Sequence, residues 1–233
     1  MKKLLLVTVI FAMVASVLSL GACGLFGGGD SIEISKSESL RKMEELGKTE
    51  GYEIDLSFRD SEGTSGNFTV GCKDDSVWGY NNEGEGFALK HSERIFLAYT
   101  YENGSFSFDS SITEAEVENY KQKYTSIYEI WLYYGNEFNG LLKKGANAAV
   151  AGRNCYTYTF KMGDLGVIGN LVGKYISDVD FEYRICVDIE LGITMKLEIA
   201  AQAEGESNSI SCEITAFRTG SAVNVPLLPD LVE

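Results

Sequence analysis

From residue 36 onward, hydrophobic and polar positions follow two alternating periods. A helical one comes first: Ser35 and Glu38 have the spacing of a capping box, and Leu40, Met43 and Leu46 fall on one side before Gly47 stops the turn. The period then drops to two. Tyr52, Ile54, Leu56 and Phe58 alternate with Glu53, Asp55, Ser57 and Arg59, which predicts a half-buried strand. A turn at Gly63 and Gly66 leads to a return strand with Phe68, Val70 and Cys72, and shorter strands are predicted near 76–81, 86–90, 94–101 and 104–109. This half reads as an antiparallel meander.

The pattern next predicts one long helix. Thr113 and Glu116 repeat the capping-box spacing, and Val117, Tyr120, Tyr124, Ile127, Tyr128, Trp131, Tyr134, Phe138, Leu141 and Leu142 keep helical spacing. Half of those positions are Tyr or Trp, rings that suit a boundary between apolar and wet surroundings. An ordinary helix packed on a sheet is the plainer reading of the same pattern. Strands return at 154–161 and 179–190, flanking a short helical patch from Leu165 to Ile176, and continue at 193–203 and 207–218 with Glu204 and Gly205 in the turn. Ten strands and three helices give an α+β fold dominated by a curved antiparallel β-sheet.

Matching faces sets an expected register for the strands around the Leu165–Ile176 patch. Phe160 meets Phe181, Tyr158 meets Tyr183 and Tyr156 meets Ile185, while Thr159/Glu182 and Thr157/Arg184 pair on the other side. This register sets Cys155 opposite Cys186, close enough for a disulfide whose loop closure contributes about 3–4 kcal/mol. Two free buried thiols are the alternative. Cys72 and Cys212 lie on apolar faces and read as core residues, bonded or not.

The amino terminus is of another kind. Met1-Lys2-Lys3 precedes an apolar run from Leu4 to Leu20 and then Gly21-Ala22-Cys23, the order of a secretory leader. A transmembrane helix fits less well, since Thr8, Ser16 and Ser19 dilute a run already short of the roughly 20 residues a bilayer needs. Gly24, Gly27, Gly28 and Gly29 follow as a flexible leash. The expected division is a leader over 1–22, a tether over 23–35 and a single domain over 36–233.

Charge and chemistry narrow the function. With 20 Lys and Arg against 34 Asp and Glu, the net charge of −14 repels nucleic-acid phosphates, and nucleic-acid binding is set aside. No Gly-x-Ser-x-Gly elbow, phosphate-binding glycine loop or dinucleotide fingerprint occurs, so no cofactor is implied. The cysteines lack metal-knuckle spacing, and the single histidine, His91, sits in a charged stretch that reads as a solvated loop. Asp178, Asp180 and Glu182 share a strand face with Arg184, which reads as an outward charged face rather than a calcium site.

Two resemblances add to this. Leu20-Gly21-Ala22-Cys23 resembles the lipobox of bacterial lipoproteins, which implies cleavage before Cys23, a diacylglyceryl thioether on its sulfur and an extracytoplasmic, membrane-anchored protein. The element order over about 36–219, with the closing stretch Leu191-Gly192-Ile193-Thr194-Met195-Lys196-Leu197, is similar to the LolA/LolB-type fold shared with the LppX and LprG lipoproteins. That resemblance implies an incomplete β-barrel with helices as a lid over an apolar hollow that holds lipid. The chain departs from the soluble carrier LolA in its own lipobox and four further cysteines. On this reading the protein is a non-enzymatic carrier or sensor of a lipid or other hydrophobic small molecule. Tyr124, Tyr128, Trp131 and Tyr134 are candidates for the lid lining, and Tyr156, Tyr158, Phe160, Phe181 and Tyr183 for the walls. An envelope interaction module with a filled core is the alternative, its protein partner unknown.

Overall fold

The computed structural model describes residues 29–92, 95–117, 119–120, 132–133, 142–161, 164, 180–203 and 206–229. The first element among these residues is helix α1 (Lys36–Thr49). The Ser35 hydroxyl accepts the Glu38 backbone N–H at 3.3 Å, as the capping-box spacing predicts. The helix runs past Gly47 and ends at Gly51, whose φ of +76° turns the chain while the N–H groups of Glu50 and Gly51 both donate to the Leu46 carbonyl. Its buried face is Ser39, Met43 and Gly47, so Leu40, predicted to face inward, is 46% exposed. Gly47 serves packing: a Cβ there would lie 2.9 Å from the Cys72 sulfur.

Six strands follow as successive hairpins: β1 (Tyr52–Asp60), β2 (Ser65–Lys73), β3 (Ser76–Asn81), β4 (Glu85–Ser92), β5 (Ile95–Glu102) and β6 (Ser105–Ile112). The remaining five are β7 (Lys143–Val150), β8 (Arg153–Lys161), β9 (Asp180–Asp188), β10 (Thr194–Ala203) and β11 (Glu206–Thr219). All pair antiparallel in one 11-stranded sheet ordered β6-β5-β4-β3-β2-β1-β11-β10-β9-β8-β7. The sheet is open and curved, and register shifts at Asp55/Leu56, Ala98/Tyr99, Lys144/Asn147 and Thr194/Lys196 bend it locally.

There is one strand more than the sequence pattern predicts. β7 reads Lys-Lys-Gly-Ala-Asn-Ala-Ala-Val and is mostly exposed, so neither β propensity nor alternation reveals it. It is an edge strand held by its ladder to β8, and its two lysines are of the kind that protect an edge. His91, expected in a loop, lies near the end of β4 with its ring 4.7 Å from that of Phe96.

The two faces of the sheet carry different chemistry. The inner face bears the main core: Ile54 and Leu56 of β1, Val70 of β2, Tyr158 and Phe160 of β8, Tyr183 and Ile185 of β9, Leu197 of β10 and Ile214 of β11, with Met43 of α1 packed among them. The ladder continues this face through Gly79 to Phe87, Leu89 and Ala98. The outer face is polar at its centre, where Glu53, Asp55 and Arg218 pair, and then holds a second, smaller core of Trp78, Ala88, Leu97 and Tyr99. Past β11 the chain folds back over that core through Val223 and Leu228.

The sheet's edges are β6 and β7, so residues 113–142 must connect one edge to the other. The Glu116 carboxylate accepts both the N–H and the hydroxyl of Thr113 at 2.8 Å, and residues 114–117 and 119–120 are helical. Val117 packs on Phe87, Leu89 and Ala98 of one half of the inner face. Leu132 and Tyr133, which the helical stripe leaves out, are buried in the main core of the other half. Val117 and residues 132–133 of the connection thus lie on opposite halves of the inner face, and Leu142 at its end bridges Asp30.

The β8–β9 register differs from the expected one by two residues. Phe160 faces Tyr183, Tyr158 faces Ile185, Cys155 faces Asp188 and Cys186 faces Thr157. Cys155 and Cys186 are free thiols, which corrects the predicted disulfide. The register is the physical reason: Cys155 and Cys186 are offset by two positions rather than opposed, and the residue across from Cys155 is the buried Asp188. Its carboxylate accepts the backbone N–H groups of Glu190 and Leu191 at 2.8 and 2.7 Å, fixing the β9–β10 turn. It also pairs with Arg153, which reaches Glu190 at 2.9 Å.

Candidate functional site

The sequence-predicted wall residues do converge on the inner face. Tyr158, Phe160, Phe181 and Tyr183 are buried and Tyr156 is half-buried. Phe160, Phe181 and Tyr183 form a triangle with ring centroids 5.5 to 6.1 Å apart, and Tyr156 meets Tyr158 edge to face at 6.4 Å. Strand alternation puts these rings on one side, and the antiparallel ladder brings β8 and β9 together. The predicted lid residues Tyr124, Tyr128, Trp131 and Tyr134, and Cys23, lie outside the described residues.

One polar atom stands out in this apolar wall. The Tyr158 hydroxyl is fully buried and has no hydrogen-bond partner, an arrangement that costs about 1–3 kcal/mol of desolvation. Burial pushes its phenol pKa up, against the pull of the nearby Lys144 ammonium. Lys144 itself lies 3.3 Å from the centroid of the Tyr156 ring and 2.7 Å from Glu33, whose hydrogen bond raises the lysine pKa. Among the described residues the wall thus has one cation–π contact at its rim and one unsatisfied hydroxyl at its centre.

Burial falls along the inner face of β1, β2 and β11, while Phe181 and Ala201 at the far ends of β9 and β10 stay buried. The end covered by α1 is sealed: Ser39 donates to the Leu191 carbonyl at 2.7 Å, and Ile54, Ile193, Met195 and Ile214 are fully buried. Two or more residues further along the same strands, Ile199, Ile210, Cys212 and Phe68 are half-buried and Phe58 is 36% exposed. Pairings Phe58–Cys212 and Ile199–Ile210 hold these side chains together across β1, β11 and β10. Alternation in the sequence puts Phe58, Phe68, Ile199, Ile210 and Cys212 on apolar strand faces but marks none as a site residue, since it reports which face a residue takes and not how well that face is covered.

This arrangement suits apolar contact. Among the described residues no group of three or more His, Cys, Asp or Glu could hold a metal ion. Glu182 and Arg184, from the acidic strand face, pair with Lys161 at 3.1 Å and Glu198 at 3.7 Å, so that stretch is an ion-paired outer surface.

No protein-family model matches the chain, and no curated protein matches it. Among solved structures it is similar to LprF from Mycobacterium bovis, with 12% identity over 86% of this chain and 99% of that one at a TM-score of 0.32. It is also similar to a LolA superfamily protein from Nitrosomonas europaea, with 10% identity over 85% of this chain and 96% of that one at a TM-score of 0.24. A third likeness is to MucB in complex with MucA, with 12% identity, 81% of this chain and a TM-score of 0.31; the chain spans only 57% of that protein's length. These neighbours include a LolA superfamily protein, from the group whose element order the sequence resembles.

Proposed function

We propose that the protein is an extracytoplasmic lipoprotein, anchored to the bacterial membrane through acyl chains on Cys23, that holds a lipid-like guest against the inner face of its sheet. The observation that carries the reading is the gradient along that face: aromatic walls and a sealed end under α1, opening to exposed Phe58 and half-buried Ile199 and Ile210. An acyl chain laid along β1, β11 and β10 would meet apolar side chains over the whole strand length, each methylene contributing about 0.8 kcal/mol. The Tyr158 hydroxyl offers a donor to a guest's carbonyl. In this reading α1 and the segment crossing from β6 to β7 form the lid, with Tyr124, Tyr128, Trp131 and Tyr134 lining it. Residues 1–22 are the removed leader, and the glycines before Asp30 are the leash.

Native mass spectrometry of the full-length protein, expressed in bacteria and purified in mild detergent, tests this. Co-purifying lipid, lost on placing Asp at Phe58 and Ile199, is the expected result. A consistently unliganded protein with a dry interior would overturn carriage and make the chain an envelope interaction module.

A further inference from the structure

We infer that the open end of the sheet, where Phe58, Phe68, Ile199 and Ile210 are exposed or half-buried, faces the bilayer that holds the anchor, so that a guest passes between membrane and sheet without crossing bulk water. The inference rests on the proposed lipidation of Cys23 and adds an orientation to it.

The geometry begins with the point where the leash joins the fold. Asp30 donates its N–H to the Leu142 carbonyl at 2.7 Å, and its carboxylate accepts the Lys144 N–H at 2.7 Å. Lys143 pairs with Thr159, which lies in line with Arg184, Glu198, Ser211 and Arg59 across the sheet. That row is next to Phe58 and Ile210, at the end of the strands away from α1. The fold is therefore tethered at its open end.

Chain length then limits which surface can meet the membrane. From Cys23 to Asp30 is seven residues, about 25 Å when fully stretched and about 15 Å as a relaxed glycine-rich coil. The α1 end is further. From Thr159 to Asn154, level with the β9–β10 turn on which Ser39 packs, is about 17 Å of strand, and the helix adds about 10 Å. Even a fully stretched leash falls short of that distance, whereas the open end is within easy reach. Charge gives no competing reason for contact: Asp60, Glu62 and Asp180 occupy the open rim, so an anionic surface would repel it without the tether. The apolar side chains there meet the membrane because the leash is short.

Carboxylate footprinting tests this on the lipidated full-length protein, labelled in detergent and on phosphatidylethanolamine–phosphatidylglycerol vesicles and read by peptide mass spectrometry. Flotation is scored first: protein that does not float with the vesicles overturns the anchored reading, and this inference with it. On floating protein, labelling of Glu62 and Asp180 is expected to fall several-fold while that of Glu45 and Asp75 stays unchanged. Equal labelling at both ends, or protection of Glu45 and Asp75, overturns the orientation and leaves lipid carriage standing. Inserting about twenty Gly and Ser residues after Gly29 lengthens the leash to the scale of the whole domain. It is expected to restore labelling of Glu62 and Asp180 while flotation persists; protection that survives the insertion overturns the role of the leash.

Discussion

Glu53 and Asn224 are joined by two hydrogen bonds, the backbone N–H of Asn224 to one carboxylate oxygen and its side-chain amide to the other, each 3.2 Å long. The same buried carboxylate pairs with Arg218, so one residue of β1 secures both the end of β11 and the segment that covers Trp78 and Tyr99. Glu53→Ala leaves the Arg218 guanidinium and the Asn224 donors short of a partner, and the expected cost is about 2–4 kcal/mol in urea unfolding. Asn224→Ala removes the weaker partner and is expected to cost about 1 kcal/mol. Equal, small losses in the two variants would show that the carboxylate does not secure the tail.

Trp78 lies directly on Gly71 of the neighbouring strand: a Cβ on Gly71 would sit 2.2 Å from the indole ring. Gly71→Ala must push the ring out of the outer-face core, and the expected loss is about 1–3 kcal/mol in thermal unfolding with a shift in tryptophan emission. Gly145→Ala is the control, since its Cβ would meet nothing closer than the Thr157 carbonyl at 3.5 Å. It is expected to stay within about 0.5 kcal/mol of the parent. If the two variants unfold alike, the ring is not fixed on Gly71.

These two sites mark where sequence reading stopped. Alternation in Tyr52–Phe58 and Ile193–Ile199 was legible because one face of those strands is polar. In β4 and β5, Phe87-Ala88-Leu89 and Phe96-Leu97-Ala98-Tyr99 are apolar on both faces, and the unbroken run was the signal for a second core that period-two reading passes over. The β8–β9 register failed for a related reason. A slip of two residues keeps every side chain on its face, so face matching cannot separate Tyr158 against Tyr183 from Tyr158 against Ile185. The wall of the candidate site was readable because it needs only faces. The opening at Phe58 was not, because coverage depends on distant segments.

The thiols give a pH prediction. Burial pushes the Cys155 pKa from 9.0 up to about 12. Its folded pKa lies above its unfolded one, so the thiol form is favoured in the fold, and this contribution is complete below pH 9 and lost as pH rises toward 12. Over that window the unfolded chain releases a proton that the folded one keeps, and stability is expected to fall by up to about 1.4 kcal/mol per pH unit from this group. Cys155→Ala should flatten the slope in urea titrations above pH 9. The native protein is also expected to leave Cys155 and Cys186 unmodified by iodoacetamide at pH 8, both becoming reactive in urea; modification of the folded protein would contradict their burial.

Tyr158 separates guest binding from mere packing. In an unliganded interior its unpartnered hydroxyl is a cost, so Tyr158→Phe removes a buried polar atom without opening a cavity and is expected to raise stability by about 1 kcal/mol. If a guest's carbonyl accepts that hydroxyl, the same variant should carry less lipid in native mass spectra while unfolding at higher urea. A purely structural role predicts the stability change alone, and a Tyr158→Phe protein that is both destabilised and fully loaded would mean that the hydroxyl is satisfied by the fold itself. Tyr183→Phe, on the neighbouring strand in the same ring cluster, provides the comparison. Loss of lipid from the Tyr158 variant and not from the Tyr183 variant would tie the guest to the buried Tyr158 hydroxyl, which has no partner among the described residues.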